Sequence, residues 1–292
     1  LPRPLRGREG IGFDDVIPSI RGEAGADLAF RGCTWFSTYR IHHRAAARFR
    51  DRRCFLLGDA AHIHSPVGAQ GMNTGLQDSY NLAWKLALVV SGRAVPALLD
   101  TYERERMPVA QRLLNTTDRA FRLVVSDAWA AGLLRTKVLA RMAAFAMSRP
   151  RIQRFAFRVV SQIGINYRNS PLSKTPSGLP DAAPQPGDRF PWTMLKFAGG
   201  TEPEDLFDRL DDTRFNLILF GQAASAADDL ADLLCLQVVA EDPANAAALA
   251  RFGIPRPSFF LLRPDGHIGL CGAEFDPAAV RRYLTEVLRP GT

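Results

Sequence analysis

The sequence predicts an α/β protein built in two parts, and three observations predict it. Downstream of residue 215, short apolar runs alternate with amphipathic ones in the order β-α-β-α-β-β-α. Upstream, residues 53–91 read as a buried strand, a glycine-rich turn and a long helix. Between them, residues 169–188 carry five prolines and two glycines, which is linker composition. A length of 292 residues suits two domains at roughly 100–200 residues each.

Taken in order, residues 13–30 predict a short helix and a loop. Residues 34–41 (Thr34-Trp35-Phe36-Ser37-Thr38-Tyr39-Arg40-Ile41) are aromatic and β-branched, and predict a strand. Arg53-Cys54-Phe55-Leu56-Leu57 is an apolar run that stops at Gly58-Asp59, as a strand buried on both faces would. The turn Pro66–Gly75 follows. A helix to about residue 91 is predicted next, with Leu76, Tyr80, Ala83, Ala87 and Val90 on its apolar face. Thr74 and Gln77 have capping-box spacing, unless the helix starts a turn earlier, and Gly92 is a natural stop. A second helix starts at Pro96, a favoured first-turn residue, and Pro108 should kink or end it. Residues 109–163 read as further helices, broken around Ser148-Arg149-Pro150.

After the linker, strands are predicted at 215–220, 236–241, 257–262 and 267–271, and helices at 225–234, 243–252 and 276–288. Pro264-Asp265-Gly266 supplies a hairpin turn between the last two strands.

The composition excludes several classes. At 47% hydrophobic and 23% charged residues the chain is neither disordered nor fibrous. No run of 18 apolar residues is present, so no membrane span is expected. The N-terminus lacks the apolar core of a signal peptide, and Cys33, Cys54, Cys235 and Cys271 form no CxxC. A reduced, cytoplasmic protein is the expectation, with Cys235 and Cys271 as buried small apolar residues. Residues 1–180 hold 27 of 37 Lys and Arg and 13 of 30 Asp and Glu, a net +14, and the remainder of the chain carries −7. The arginines are scattered, without a basic run or interleaved aromatics, so no nucleic acid partner is expected. Four of five histidines (His42, His43, His62, His64) lie close together, but no Cys or carboxylate cluster joins them at ligand spacing, and no metal is assigned.

The chemistry sits in residues 53–85. An acid just past a buried strand lies where ligands bind in open α/β sheets, and it can accept hydrogen bonds from a polyol. Seven residues later, Gly68, Gly71 and Gly75 let backbone amides approach a flat ligand, and the helix that follows points its positive end the same way. The pattern is a polyol anchor beside an amide cradle for developing negative charge.

At these residues the sequence resembles the FAD-dependent aromatic hydroxylases, the group A flavoprotein monooxygenases of the phenol hydroxylase and para-hydroxybenzoate hydroxylase type. Gly58-Asp59-Ala60-Ala61-His62 is similar to their second flavin motif, Pro66-x-Gly68-x-x-Gly71-x-Asn73 to their flavin-contact loop, and Tyr102-Glu103-x-Glu105-Arg106-x-Pro108 to the helix beyond. The resemblance implies that Gly58, Asp59, Pro66, Gly68, Gly71, Met72 and Asn73 bind FAD. Asp59 would take the ribityl hydroxyls, the backbone of Met72 and Asn73 the N1–C2=O edge of the ring, and Pro66 would lie at the flavin–substrate interface. No side chain is assigned a catalytic role. The implied reaction is hydride transfer from NADPH or NADH to FAD, capture of O2, and transfer of one oxygen atom to a small aromatic, usually phenolic, substrate. Epoxidation or Baeyer–Villiger oxygenation of a polyketide stays open, and so does a non-catalytic assembly module.

The chain departs from the family's pattern. No GxGxxG is present, since Gly7-x-x-Gly10-x-Gly12 has the wrong spacing, and the family's middle Asp-Gly motif is missing. The resemblance thus covers the C-terminal half of a typical member: the end of the substrate domain (1–50), the C-terminal part of a para-hydroxybenzoate-hydroxylase-like FAD domain (51–168), a linker (169–188) and a thioredoxin-like domain (189–292). It implies a missing N-terminal half as partner, without which FAD binds poorly and hydroxylation fails, and a homodimer as the family's usual form. Ile254-Pro255-Arg256-Pro257 resembles the proline turn of thioredoxins, while Gly221-Gln222-Ala223-Ala224-Ser225 replaces their CxxC, so packing is the expected role.

Overall fold

The computed structural model describes residues 5, 8–38, 42–64, 70–125, 145, 148–174, 178–223 and 232–289, with side chains at 116–125 excepted. It divides into two compact units, Leu1–His42 and His43–Thr292. In the first, α1 (Phe13–Ala24) starts at Gly12, whose amide bonds Asp15 at 2.9 Å, and ends at left-handed Gly25. The described residues 34–38 form no strand, which corrects the expectation. A β-rich composition forms a ladder only beside a partner, and none pairs here among the described residues.

The second unit opens with small antiparallel pairs. β1 (Arg44–Ala45) pairs with β4 (His62–Ile63), and β2 (Arg50–Asp51) with β3 (Cys54–Phe55). The run at 53–57 is therefore a hairpin arm two residues long, not a strand buried on both faces. Cys54 is exposed and Leu56 partly so. Its apolar character serves one side, where Phe55 packs on a cluster of Phe49, Ala61, Leu82, Leu99 and Tyr102.

α2 (Gly71–Val90) begins a turn before Thr74, so Thr74 does not cap it: its hydroxyl donates instead to the Gln70 carbonyl at 2.8 Å. Gly92, left-handed at φ 72°, ends it. A single 3-10 turn from Pro96 leads into α3 (Asp100–Val125). α3 continues past exposed Pro108, so of the two expected outcomes, a kink or an end, the proline does not end the helix there, and it forgoes one helical hydrogen bond. α4 (Pro150–Val160) starts where the break was expected.

The short antiparallel pair β5 (Met194–Leu195) and β6 (Glu204–Asp205) precedes a four-stranded sheet of β7 (Phe215–Phe220), β8 (Leu234–Val239), β9 (Ser258–Leu262) and β10 (Ile268–Gly272), in the order β10-β9-β7-β8 with only β7–β8 parallel. β7 (Phe215–Phe220) is buried at all six residues. Leu217 and Leu219 face one core with Trp84, Leu88 and the helix α6 (Pro277–Leu288), while Ile218 and Phe220 face another with Phe190, Phe197 and Leu249. A strand sandwiched between two layers needs apolar residues on both sides, so the run is continuous rather than alternating. β8 (Leu234–Val239), β9 (Ser258–Leu262), α5 (Ala246–Phe252) and β10 (Ile268–Gly272) lie within two residues or so of their expected bounds. The helix expected at 225–234 falls largely outside the described residues. Pro257 follows a cis peptide bond. Cys271 is buried, which pushes its thiol up to about 12, whereas Cys235 is only half-buried, a correction to its reading as a core residue.

The described C-terminal end of the proline-rich segment is hydrogen-bonded to its neighbours. The Tyr167 amide donates to Gly187 and the Gly187 amide to Ile268, both at 2.7 Å, which lays the segment along β10. Gly187 sits at φ 88°, and a Cβ there would lie 2.4 Å from the Arg168 nitrogen and 2.5 Å from the Tyr167 carbonyl carbon. Both neighbours are backbone and cannot swing aside. Gly187→Ala is expected to destabilise the protein by about 2 kcal/mol, as left-handed strain and overpacking combine. The urea unfolding midpoint reads this out.

Candidate functional site

The exposed Asp59 lies in the 3-10 turn Gly58–Ala60, between β3 and β4. Gly58 is left-handed at φ 56°, and the turn rests on the first turn of α2: a Cβ on Gly75 would come within 3.2 Å of the Gly58 Cα. Two glycines thus allow a backbone-to-backbone approach that side chains would hold apart. A Cβ on Gly71 would stand 3.3 Å from the His64 ring. The structure therefore brings Gly58, Asp59, Gly71 and Gly75 to one place. Asn73 is half-buried beside them, and Met72 is 76% exposed. Pro66 and Gly68 lie outside the described residues.

The first helical hydrogen bond of α2 runs from Thr74 to Gln70, so the amides of Gly71, Met72 and Asn73 precede the helical ladder. Gln70 does not cap them, because its side chain donates to the Val159 carbonyl at 2.9 Å. No acidic residue occupies this first turn. Asp59 itself is exposed.

Sequence reasoning inverted the face that α2 buries. Leu76 (61%), Tyr80 (50%) and Val90 (84%) are exposed, with Ala83 and Ala87 beside them. The buried residues are Thr74, Asp78, Asn81, Leu82, Trp84, Lys85 and Leu88. Polar groups tolerate burial only when bonded, and these are. Asp78 accepts from the Gly58 amide at 3.0 Å, from His62 Nε2 at 2.7 Å and from Arg106 Nε at 2.6 Å. Burial alone would raise its carboxyl. The His62 hydrogen bond, the Arg106 charge and the Gly58 amide outweigh it and hold the group below the ordinary carboxylate range.

Two turns further along, Lys85 Nζ meets Glu105 at 2.7 Å and Asn81 at 2.8 Å. Arg263, from the end of β9, forks onto Glu105 at 2.6 and 3.1 Å and pairs with Asp265. Trp84 Nε1 donates to Asp265 at 3.2 Å, and the Arg263 guanidinium stands over the rings of Trp84 and Tyr167. Burial would raise Glu105, yet Arg263 and Lys85 hold it at about 2. Burial draws the Lys85 ammonium down to about 8 despite Glu105.

The Tyr-Glu-x-Glu-Arg motif of α3 now has a physical reading. Tyr102 donates its hydroxyl to the Leu56 carbonyl at 2.7 Å, and Glu103 accepts the amides of Phe49 and Arg50. Glu105 and Arg106 anchor the two buried clusters. Tyr102 and Glu103 thus buttress the segment that ends at Asp59, while Glu105 and Arg106 tie α3 to α2. The described residues hold no group of three or more His, Cys, Asp or Glu arranged for a metal, and no helix long and apolar enough to cross a membrane.

Residues 6–117 match the FAD binding domain family. A 6-methylpretetramide 4-monooxygenase from Streptomyces rimosus is 35% identical over 271 residues, covering 87% of this chain and 48% of that protein. Among solved structures, BexE, studied for oxidation during BE-7585A biosynthesis, superposes with a TM-score of 0.71 at 30% identity over 98% of this chain and 55% of its own. The OxyS anhydrotetracycline hydroxylase from Streptomyces rimosus does so with a TM-score of 0.68 at 30% identity, over 95% and 52%. The chain spans about half the length of the relatives it matches. Residues 6–117 thus carry the pattern of the FAD binding domain family, and most of the chain is similar to part of proteins named as monooxygenases and hydroxylases.

Proposed function

We propose that this chain is the flavin-contacting part of an FAD-dependent monooxygenase that hydroxylates an aromatic ring, with NADPH or NADH as hydride donor. The observation that carries it is the close seat of the Gly58–Ala60 turn on the first turn of α2, which sets an exposed carboxylate beside uncapped helix amides. These groups fit FAD: Asp59 would accept from the ribityl hydroxyls, and the amides of Met72 and Asn73 would face the N1–C2=O edge. Bound FAD would supply the redox centre for hydride uptake and reaction with O2. The chain's own part is electrostatic and positional, since the positive end of α2 favours negative charge on the ring edge before it. The relatives include proteins named for 6-methylpretetramide, for anhydrotetracycline and for pentachlorophenol, which supports an aromatic substrate, phenolic or polyketide.

The sheet of residues 189–292, with Pro257 at the start of β9 and no CxxC, supports a thioredoxin-like domain with a packing role, because its Arg263 and Asp265 enter the buried cluster. The exposed apolar face of α2 supports a further covering part of the protein, such as the half the relatives have in excess.

Titration with FAD tests the proposal through flavin fluorescence and the visible flavin band. Asp59→Ala is expected to weaken binding roughly 10- to 150-fold, the cost of about 1.5–3 kcal/mol for a charge-assisted hydrogen bond. Equal affinity in the variant and the parent would falsify the assignment of Asp59.

A further inference from the structure

Asp78 occupies a singular place behind the candidate site. It is 1% exposed, yet it joins both halves of that site. Its Oδ2 holds the Gly58 amide and His62 Nε2, the two ends of the turn that displays Asp59. Its Oδ1 holds Arg106 Nε, and Arg106 Nη2 returns to the Thr74 carbonyl at 3.1 Å, in the first turns of α2. A second clasp closes on the same turn from α4's side. Gln162, left-handed at φ 59°, donates to Thr74 Oγ1 at 2.7 Å. A non-glycine residue stays in that region only where its surroundings over-determine it. Two independent devices therefore fix the start of α2, and one of them also fixes the Asp59 turn.

The residue type is demanding. All three groups around the carboxylate are N–H donors, and Asp offers acceptors on both oxygens. Asn would turn an amide N–H toward either Gly58 or Arg106, donor against donor. If stability alone were at stake, an apolar side chain in an apolar setting would serve as well as a buried charge.

We propose that Asp78 is the positioning residue of this site: its ionised carboxylate locks the Gly58–His62 turn to the first turn of α2, setting the spacing between Asp59 and the amides of Gly71–Asn73 before a ligand arrives. This rests on the FAD reading above for the identity of the ligand, but the locking itself does not. A site ordered in advance spares the ligand the cost of ordering it.

The test uses the full chain and its Asp78→Asn variant, with two measurements. In the flavin-free protein, amide hydrogen exchange over residues 56–64 and 70–77 is expected to rise about tenfold or more in the variant, while residues 215–220 and 258–262 keep their protection. A merely structural role would speed exchange in that sheet as well, and this outcome overturns the proposal, as does unchanged exchange at 56–64. In the second measurement, FAD affinity is expected to fall about tenfold or more. Loosened exchange with unaltered FAD affinity overturns the positioning role and leaves the FAD reading standing. If the parent chain alone takes up no FAD, as the N-terminal half that its relatives have in excess would explain, the exchange measurement decides the lock by itself. Should Asp78→Asn fail to fold, Arg106→Lys decides: it keeps a cation on Asp78 but gives up the Thr74 contact. The same rise over 70–77 supports the proposal, and unchanged exchange there overturns it.

Discussion

Replacing Arg263 by Met is expected to cost about 3–5 kcal/mol of folding stability, the range found when one partner of a buried ion pair is removed. Arg263 and Glu105 are 0–1% exposed in their side chains, and Asp265 is 2% exposed. The single guanidinium serves two carboxylates, one on α3 and one on its own hairpin. Without it, Glu105 keeps Lys85, Asn81 and Ser170, but Asp265 keeps only neutral donors and His267. The methionine chain fills volume without replacing any of these bonds. Lys85→Met should behave differently and stay within about 1 kcal/mol of the parent. Burial already draws the Lys85 ammonium down to about 8, so its charge is held at a cost, and Glu105 retains the Arg263 fork when it goes. Guanidinium unfolding of the two variants reads the contrast. A loss below about 1 kcal/mol for Arg263→Met would show that the cluster relaxes or hydrates around the vacancy.

That cluster also explains what could be read from the sequence. β7 and β9 were legible because burial on both faces leaves a nearly continuous apolar run bounded by turn residues, as in Phe215–Phe220, where only Asn216 interrupts it. α2 was legible as a helix but not in its orientation. Thr74, Asp78, Asn81 and Lys85 recur at helical spacing, and such a stripe ordinarily marks the solvated face. What reverses the inference is a set of partners far off in the chain. Arg106 lies 28 residues from Asp78, and Arg263 lies 158 residues from Glu105, so no local window contains both members of a pair. The one available signal was the motif itself: Glu103, Glu105 and Arg106 crowd charge into a helix that also supplies the core residues Tyr102 and Ala110. The candidate site fared better in its exposed parts. Asp59 and the glycines at 58, 71 and 75 are local backbone features, announced by residue type at fixed spacing. Asp78, which supports them from behind, belongs to the non-local part.

Acid should loosen the protein before general acid unfolding sets in, and Glu105 should account for much of it. In the unfolded chain a glutamate titrates near 4.3, whereas in the folded protein Arg263 and Lys85 keep Glu105 at about 2. A depressed folded value means that the stabilisation is complete above the unfolded value and disappears as pH falls through the folded one. The window therefore runs from about pH 5 down to about pH 2, and the loss amounts to about 3 kcal/mol from this group. Asp265 and Asp78, both held below their ordinary range, add losses of the same sign. Lys85 adds a slope at the other end. Its folded value of about 8 lies below the unfolded one, so stability rises from about pH 8 to about pH 10 as the buried ammonium gives up its proton. Urea unfolding across pH 3–7 in the parent and in Glu105→Gln separates the glutamate from the other carboxylates: the variant starts less stable, and its curve should be flatter by the Glu105 share. Parallel curves would mean that Glu105 keeps an ordinary affinity for its proton, and that the four-charge cluster joining α2, α3 and the β9–β10 hairpin is far weaker than its geometry indicates.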